Sequence, residues 1–364
     1  MSKNVLPPSL VAVTGANGII GTHCVLALLK QGYHVRAVIR DPTKVEKTEF
    51  IKDAAKKINA LDKLTFAAGD LLKSGSYDQA FQGCDAVIHT AAVVEVTDTS
   101  DAENRIVKPS VEGTRNVLSS ISKSPCVRRY VHTSSVAAIQ SFEEEKPESY
   151  TFTEKDWNTW STIENGDPYG YAKAQAEKLV WDEKNAGKLG GCEVVAINPG
   201  VVLGPVFCKA HTKSSCVLVR QVMFNNPLIN YNCTFVDVRE VAQAFVQALR
   251  VPEAAGKRFI VLDGIARNTM DIVPLAQSAY PDFRLTSEPL YSPFKLWLIH
   301  ALGSLPLVGN MVISEYNKIM TTRKVHFSCK RSQEVLGIKY RPLEETVTDT
   351  IDSMKTFVPL KKKK

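Results

Sequence analysis

Two residues set four apart carry the clearest chemistry in this chain: Tyr169 and Lys173, in Tyr169-Gly170-Tyr171-Ala172-Lys173. On a helix they share a face, so a phenol hydroxyl and an ammonium can both reach one ligand. An ammonium close to a phenol favours its ionised form and eases proton exchange with a substrate oxygen. Tyr171 stands two residues from Lys173 and so falls on another face. A second motif lies far upstream. Gly15-Ala16-Asn17-Gly18-Ile19-Ile20-Gly21 follows the apolar run Leu10-Val11-Ala12-Val13. At such a strand-to-helix turn, Gly15 permits the tight bend and Gly18 lets the backbone approach a pyrophosphate. Gly21 allows close helix–sheet packing. The helix that follows offers free N–H groups and a positive dipole end to the phosphates. The spacing is one residue longer than G-x-G-x-x-G. In this order, the two motifs point to carbonyl/alcohol oxidoreduction, with hydride carried by a dinucleotide and a proton by Tyr169.

A third polar group should hold the substrate oxygen. Thr133-Ser134-Ser135 ends the apolar run at Tyr130-Val131, where ligands sit in open α/β sheets. Successive strand residues face opposite ways, so only one of Ser134 and Ser135 can serve; periodicity does not say which. Cofactor choice rests on Ile39-Arg40-Asp41-Pro42-Thr43-Lys44-Val45-Glu46-Lys47. Arg40 stands where a guanidinium clamps a 2′-phosphate, and Lys44 or Lys47 adds a second charge. This favours NADPH over NADH, unless Asp41 turns inward. Asp70, in Gly69-Asp70-Leu71, is placed to accept a hydrogen bond from an adenine amine. His89-Thr90-Ala91-Ala92 ends another strand with small residues, leaving room for the cofactor.

The elements that must position these residues are legible as alternating βαβ units, hence an α/β fold with a parallel, doubly wound sheet. Strands are expected over 10–14, 33–40, 64–69, 86–89, 130–133, 194–198 and 258–262. Helices are expected over 18–31, closed by Gly32, then over 111–122 and 169–186. Phe142–Asp167 is acidic and loop-like, and from Asp263 the rhythm is lost. The division expected is a Rossmann-type domain over 1–200, to which 234–262 returns, and a smaller mixed substrate-binding region from 201–233 and 263–364.

The chain of 364 residues is 44% hydrophobic, enough for a large core without disulfides. Its net charge of +7 includes Lys361–Lys364 and shows no basic stripe, which argues against nucleic acid. Eight cysteines form no C-x-x-C and no metal-ligand spacing, so no metal is expected and the thiols read as reduced. Met1–Ser9 has no apolar signal core, which suggests a cytoplasmic protein.

These residues resemble the extended short-chain dehydrogenase/reductase superfamily, and within it the dihydroflavonol reductase-like group. The likeness spans nearly the whole chain. It runs from Val13-Thr14-Gly15-Ala16-Asn17-Gly18 through Asp85-Ala86-Val87-Ile88-His89-Thr90-Ala91-Ala92 and Asn198-Pro199-Gly200 to Leu336-Gly337-Ile338-Lys339-Tyr340-Arg341-Pro342-Leu343. The resemblance implies that Ser135, not Ser134, is the catalytic serine. It implies that Arg40 contacts the NADPH phosphate and that the region of Pro199 lies against the nicotinamide. Asn17, Ile19, Leu71, Thr90, Ala91 and Ala92 join the expected cofactor contacts. His132 and Val136 flank the serines where relatives often have Phe and Ala, and are expected near substrate.

The expected reaction is therefore NADPH-dependent reduction of a ketone or aldehyde on a fairly apolar small molecule, by a monomer or homodimer. Two alternatives stand beside it: an NAD-dependent 3β-hydroxysteroid or sterol dehydrogenase, and a cofactor-sensing protein without catalysis. Leu296–Ile313 carries no acidic, Lys or Arg residue and reads as an apolar lid or pocket wall. Gly303, Pro306, Gly309 and Asn310 interrupt it as a spanning helix. Membrane association, on the cytosolic face of the endoplasmic reticulum, is the less favoured reading. Lys361–Lys364 reads as a solvated tail.

Overall fold

The computed structural model describes residues 4–92, 101–143, 146–285, 289 and 314–360. Its first five strands are β1 (Leu10–Thr14), β2 (His34–Ile39), β3 (Leu64–Ala68), β4 (Ala86–His89) and β5 (Arg129–Thr133). A short β6 (Thr151–Phe152) precedes β7 (Glu193–Pro199) and β8 (Val201–Leu203). There follow β9 (Asn232–Cys233), β10 (Phe235–Asp237), β11 (Arg258–Val261), β12 (Arg267–Asn268) and β13 (His326–Phe327). The helices preceding β7 are α1 (Ile19–Lys30), α2 (Val45–Lys57), α3 (Asp78–Phe81), α4 (Lys108–Ser122) and α5 (Pro168–Asn185). Later come α6 (Val217–Met223), α7 (Val238–Arg250), α8 (Ile272–Ala279), α9 (Glu315–Thr322), α10 (Lys330–Leu336) and α11 (Leu343–Met354).

The described residues form one seven-stranded parallel sheet in the order β3-β2-β1-β4-β5-β7-β11. Both faces are covered, which is why its strands read as continuous apolar runs. Val11 and Val13 of β1 enter one core with Val25, Leu28 and Phe245, while Ala12 between them enters the other with Val87, Val117 and Val180. Tyr130 and Val131 divide in the same way. Helices α1 and α7 pack together on one face, and α4 and α5 on the other. Strand order reverses between β1 and β4, so the crevice for a ligand opens beyond the ends of those two strands.

All the expected strands form, within two residues of the expected limits. Gly32 closes α1 with φ +87°, as a residue past a helix end does. The helix expected over 111–122 starts earlier, at Lys108, after a π-helical turn at Glu103–Val107. Helix α2 was not expected at all. Only Thr48, Ile51 and Ala55 of it are buried, a stripe narrow enough to hide among charged residues. The loop 142–167 is not wholly irregular either, since β6 within it pairs in parallel with β13 near the C-terminus.

Past β11 the chain turns helical, and ion pairs dock it. Arg341, in the motif 336–343, holds Glu240 of α7 at 2.9 Å. Arg239 of α7 joins Asp237 at 2.7 Å and Asp349 of α11 at 2.6 Å. The stretch 296–313 and the tail 361–364 lie outside the described residues. No described helix is long and apolar enough to cross a membrane. All eight cysteines are free thiols.

Candidate active site

The glycine turn and the end of β4 close on each other. Gly15 takes φ +64°, and a Cβ on it would stand 2.6 Å from the Ala91 backbone. A Cβ on Gly21 would stand 2.2 Å from the Gly15 carbonyl oxygen, so α1 leaves the turn only with glycine there. Gly18 is exposed at the N-cap of α1, with Ile19 as its first residue, and its Cβ position meets only the Gly15 oxygen at 3.3 Å. That open, glycine-lined helix start fits a pyrophosphate. Thr14 and Thr90 stitch the two strand ends. The Thr90 hydroxyl donates to the Thr14 carbonyl at 2.7 Å, and Thr14 Oγ1 shares a hydrogen with His89 Nδ1 at 2.7 Å.

Beyond β2, Arg40 is exposed, with its Nε 3.5 Å from Asp70 Oδ2. The other Asp70 oxygen accepts the Leu72 N–H at 3.0 Å. Lys44 stands at the N-cap position of α2 and Lys47 lies in its first turn, both exposed. Asp41 does not face it freely. One of its oxygens accepts the Thr43 amide and hydroxyl at 3.1 and 2.6 Å, and Lys44 lies 3.9 Å from the other. The Thr43 bonds hold this carboxyl below the usual range.

Tyr169 and Lys173 lie on the first turns of α5, both half-buried. Lys173 Nζ stands 5.9 Å from the Tyr169 ring centre and donates to the Thr133 carbonyl at 3.4 Å. The ammonium is thereby held at the end of β5, directly before Ser134 and Ser135. Lys173 also lines a cavity of about 20 Å³ with Leu71, His89, Ala91, Ala92 and Ser110. Four residues expected to hold the cofactor thus share one space at the reversal of strand order. Tyr171 turns away, into a groove between α4 and α5 beside Val107, Val111 and Gln175.

The two serines part as strand geometry requires. Ser134 is buried and its hydroxyl donates to Glu177 Oε2 at 2.6 Å. Ser135 Oγ accepts the Ala137 N–H at 3.1 Å, and α5 packs on the turn 136–138 that follows. Its hydroxyl hydrogen is not committed by that bond. Pro199 is buried at the end of β7.

The expectation that His132 lies near substrate is overturned. It is buried in the core, bonded to the Tyr130 hydroxyl at 2.9 Å and stacked on His89 at 5.7 Å between ring centres. Burial pushes its pKa down to about 3, so it is a neutral core imidazole. Its position two residues from Tyr130 already put both on one strand face. Val136, by contrast, is only half-buried.

Three further groups escaped the sequence reading. His211, in the segment after β8, donates from Nε2 to the Asn17 carbonyl at 3.0 Å and accepts the Phe207 N–H on Nδ1. Nothing in local spacing marks that contact. Glu177, one helical turn beyond Lys173, is fully buried against Arg258. Its four-residue spacing from Lys173 was the available signal. Asp167 caps α5 by accepting the Gly170 N–H at 2.9 Å. Asp before Pro at a helix start is a recognisable cap.

This geometry defines a dinucleotide-binding α/β oxidoreductase site, and comparison with known proteins names its family. Residues 11–262 match the NAD dependent epimerase/dehydratase family, and the chain belongs to it. It is 31% identical to the NADPH-dependent methylglyoxal reductase GRE2 of Saccharomyces cerevisiae, over 95% of this chain and 98% of that protein. It is 28% identical to the cinnamoyl-CoA reductase CAD2 of Medicago truncatula, over 95% and 96% of the two chains. The crystal structure of yeast methylglyoxal/isovaleraldehyde reductase Gre2 complexed with NADPH superposes with a TM-score of 0.75. That pair is 29% identical, covering 96% of this chain and 98% of that one. The expected likeness to the dihydroflavonol reductase-like group is borne out, with 30% identity to the dihydroflavonol 4-reductase of Arabidopsis thaliana over 76% and 71% of the chains.

Proposed function

We propose that this protein reduces a ketone or aldehyde on a fairly apolar small molecule with NADPH. The observation that carries the reading is the single cavity shared by Lys173, Leu71, Ala91 and Ala92, beside a tyrosine-bearing helix packed on the Ser135 turn. Gly15, Asn17, Gly18, Ile19 and Gly21 would hold the pyrophosphate. Arg40, with Lys44 and Lys47, would hold the 2′-phosphate, and Asp70 and Leu71 the adenine side. Thr90, Ala91, Ala92 and Pro199 would flank the nicotinamide. When bound, the dinucleotide supplies the hydride. Ser135 donates its hydroxyl hydrogen to the substrate oxygen and fixes it. Tyr169 delivers the proton to that oxygen as its charge develops. Lys173, tied to the Thr133 carbonyl, would hold its ammonium on the same helix face as the phenol, toward the cofactor cavity. The occupied Asp41 carboxylate leaves Arg40 as the specificity group, which supports NADPH over NADH. Residues 201–233 and 263–364 would form the substrate-binding region.

A panel of methylglyoxal, isovaleraldehyde, cinnamoyl-CoA and a dihydroflavonol, followed by NADPH absorbance, tests the reading. Tyr169→Phe should lose turnover of whichever carbonyl is accepted and keep NADPH binding. Unchanged turnover in that variant, or no turnover of any of the four by the native chain, refutes it.

A further inference from the structure

We propose that Asn158, Ser161 and Asp167 are positioning residues that fix the first turn of α5 to the Ser135 turn. This rests on reading Ser135 and Tyr169 as the reacting pair. The three lie in the loop between those residues, and they form one continuous buried chain of hydrogen bonds. It starts on the turn after Ser135, where the Asn158 N–H donates to the Ala138 carbonyl at 3.0 Å and Asn158 Nδ2 to the Ala137 carbonyl at 2.7 Å. Asn158 Nδ2 also donates to Ser161 Oγ at 2.7 Å, while Oδ1 accepts the Ser161 N–H at 2.9 Å. The Ser161 hydroxyl passes its hydrogen to Asp167 Oδ2 at 2.5 Å. Asp167 Oδ1 then takes the N–H of Gly170, next to Tyr169, at 2.9 Å.

Every polar atom in this chain has its partner, and the three residues are 4%, 6% and 3% exposed. A buried network with every member satisfied holds its groups in one arrangement. One end falls on the carbonyls of Ala137 and Ala138, in the turn after Ser135, and the other on Gly170, directly after Tyr169. Gly170 completes the case. A Cβ on it would stand 2.1 Å from Asp167 Oδ2 and 2.8 Å from Ser161 Oγ, so glycine leaves the space the carboxylate fills. Burial raises the Asp167 carboxyl above its usual range, although the bonds from Ser161 and Gly170 pull it down. The Glu177–Arg258 pair holds α5 further along and leaves its first turn to this chain.

The experiment compares Asn158→Ala, Ser161→Ala, Asp167→Ala, Asp167→Asn, Gly170→Ala and Tyr169→Phe in the full chain. Turnover of the four carbonyls above, NADPH Kd by fluorescence and Tm are measured for each. Misplacement of reacting groups by about 1 Å costs on the order of 100-fold in rate. Asn158→Ala, Ser161→Ala and Gly170→Ala should therefore lose about 10- to 100-fold in kcat with NADPH Kd within about twofold of native. Asp167→Asn should recover most of the rate lost in Asp167→Ala, since its amide still accepts from Gly170 and donates to Ser161. Gly170→Ala displaces the Asp167 carboxylate and Ser161 without removing either side chain, and its Tm shows how much of any loss is stability. If Asn158→Ala fails to fold, Ser161→Ala and Gly170→Ala decide. Native kcat in the folded variants, alongside a dead Tyr169→Phe, overturns the positioning role alone. Native turnover in Tyr169→Phe overturns the assignment of Tyr169 and the positioning role with it.

Discussion

Removing Arg258 should unfold this protein more readily than any loss of packing at that position would suggest. Its side chain is 7% exposed and that of Glu177 is 0% exposed. Arg258 gives Nε to Glu177 Oε1 at 2.6 Å and Nη2 to Oε2 at 3.1 Å, and its guanidinium stacks 3.8 Å from the Trp157 ring centre. Nη1 reaches the carbonyls of Glu154 and Asp156. Glu177 takes three more bonds, from Ser134 at 2.6 Å, Asn198 at 2.8 Å and Trp181 at 3.2 Å. Arg258→Met leaves that carboxylate buried with neutral donors only, a loss of about 3–5 kcal/mol. Glu177→Leu strands the guanidinium and should cost about as much. In the double variant neither charge remains; Asn198 keeps its bond to the Ser135 carbonyl, and the residual cost is the Ser134 hydroxyl and the Glu154 and Asp156 carbonyls left without partners, about 1–3 kcal/mol each. The double variant should therefore lie well short of the sum of the singles, with a coupling of about 2–3 kcal/mol. Urea unfolding of the four proteins measures it. Additivity within about 0.5 kcal/mol would show that the two charges do not stabilise each other, and the reasoning would fail.

Arg40→Ala should leave stability almost unchanged, since Arg40 is 77% exposed and its one ion pair is worth about 0–1 kcal/mol. It should weaken NADPH by about 10- to 100-fold, the worth of a charged hydrogen bond, and leave NADH as it was. Equal losses for the two cofactors in a fluorescence titration would remove Arg40 from the phosphate. Acid should destabilise the fold through its buried imidazoles. Burial lowers His23 to about 4 and His132 to about 3, against about 6.5 in an unfolded chain. Depressed imidazoles contribute stability that is complete above pH ~6.5 and lost as pH falls toward those values, by up to about 1.4 kcal/mol per pH unit for each. A Tm series from pH ~7.5 to ~4.5 should fall through that window, and less steeply in His132→Phe. A flat series in the native chain would contradict the buried neutral state.

The sheet could be read in advance because both its faces are buried. That makes β1, β4 and β7 short apolar runs rich in β-branched residues, and their alternation with helical segments marks them as strands. The glycine turn was legible for a stronger reason: Gly15 and Gly21 occupy positions that no Cβ fits. What stayed hidden is of two kinds. Helix α2 carries too narrow an apolar stripe to stand out, although Thr48, Ile51 and Ala55 do keep helical spacing. His211 and the chain from Asn158 to Asp167 depend on partners far away or on loop geometry, and a polar residue in a loop does not announce its partner. His132 was a different failure. Its strand register was known, and a register buried on both sides leaves no route to the substrate.

Helix α5 shows how chemistry and anchorage share one stripe. Tyr169, Lys173, Glu177 and Trp181 follow each other at four-residue intervals, so they line one face. Along that face the surroundings change in order. Tyr169 and Lys173 are half-buried and Lys173 opens on the cavity, whereas Glu177 is sealed and gathers bonds from Ser134 just past β5, from β7 and from β11. Each step of four residues advances about 6 Å along the axis, so the anchor lies one turn from the ammonium. The bond from Ser134 to Glu177 closes the arrangement from the other side, since Ser134 adjoins Ser135. A shift of Glu177 would therefore move Lys173 and Ser135 together, so a variant at this buried carboxylate should lower kcat, and the measured turnover of Glu177→Leu beside its Tm checks this.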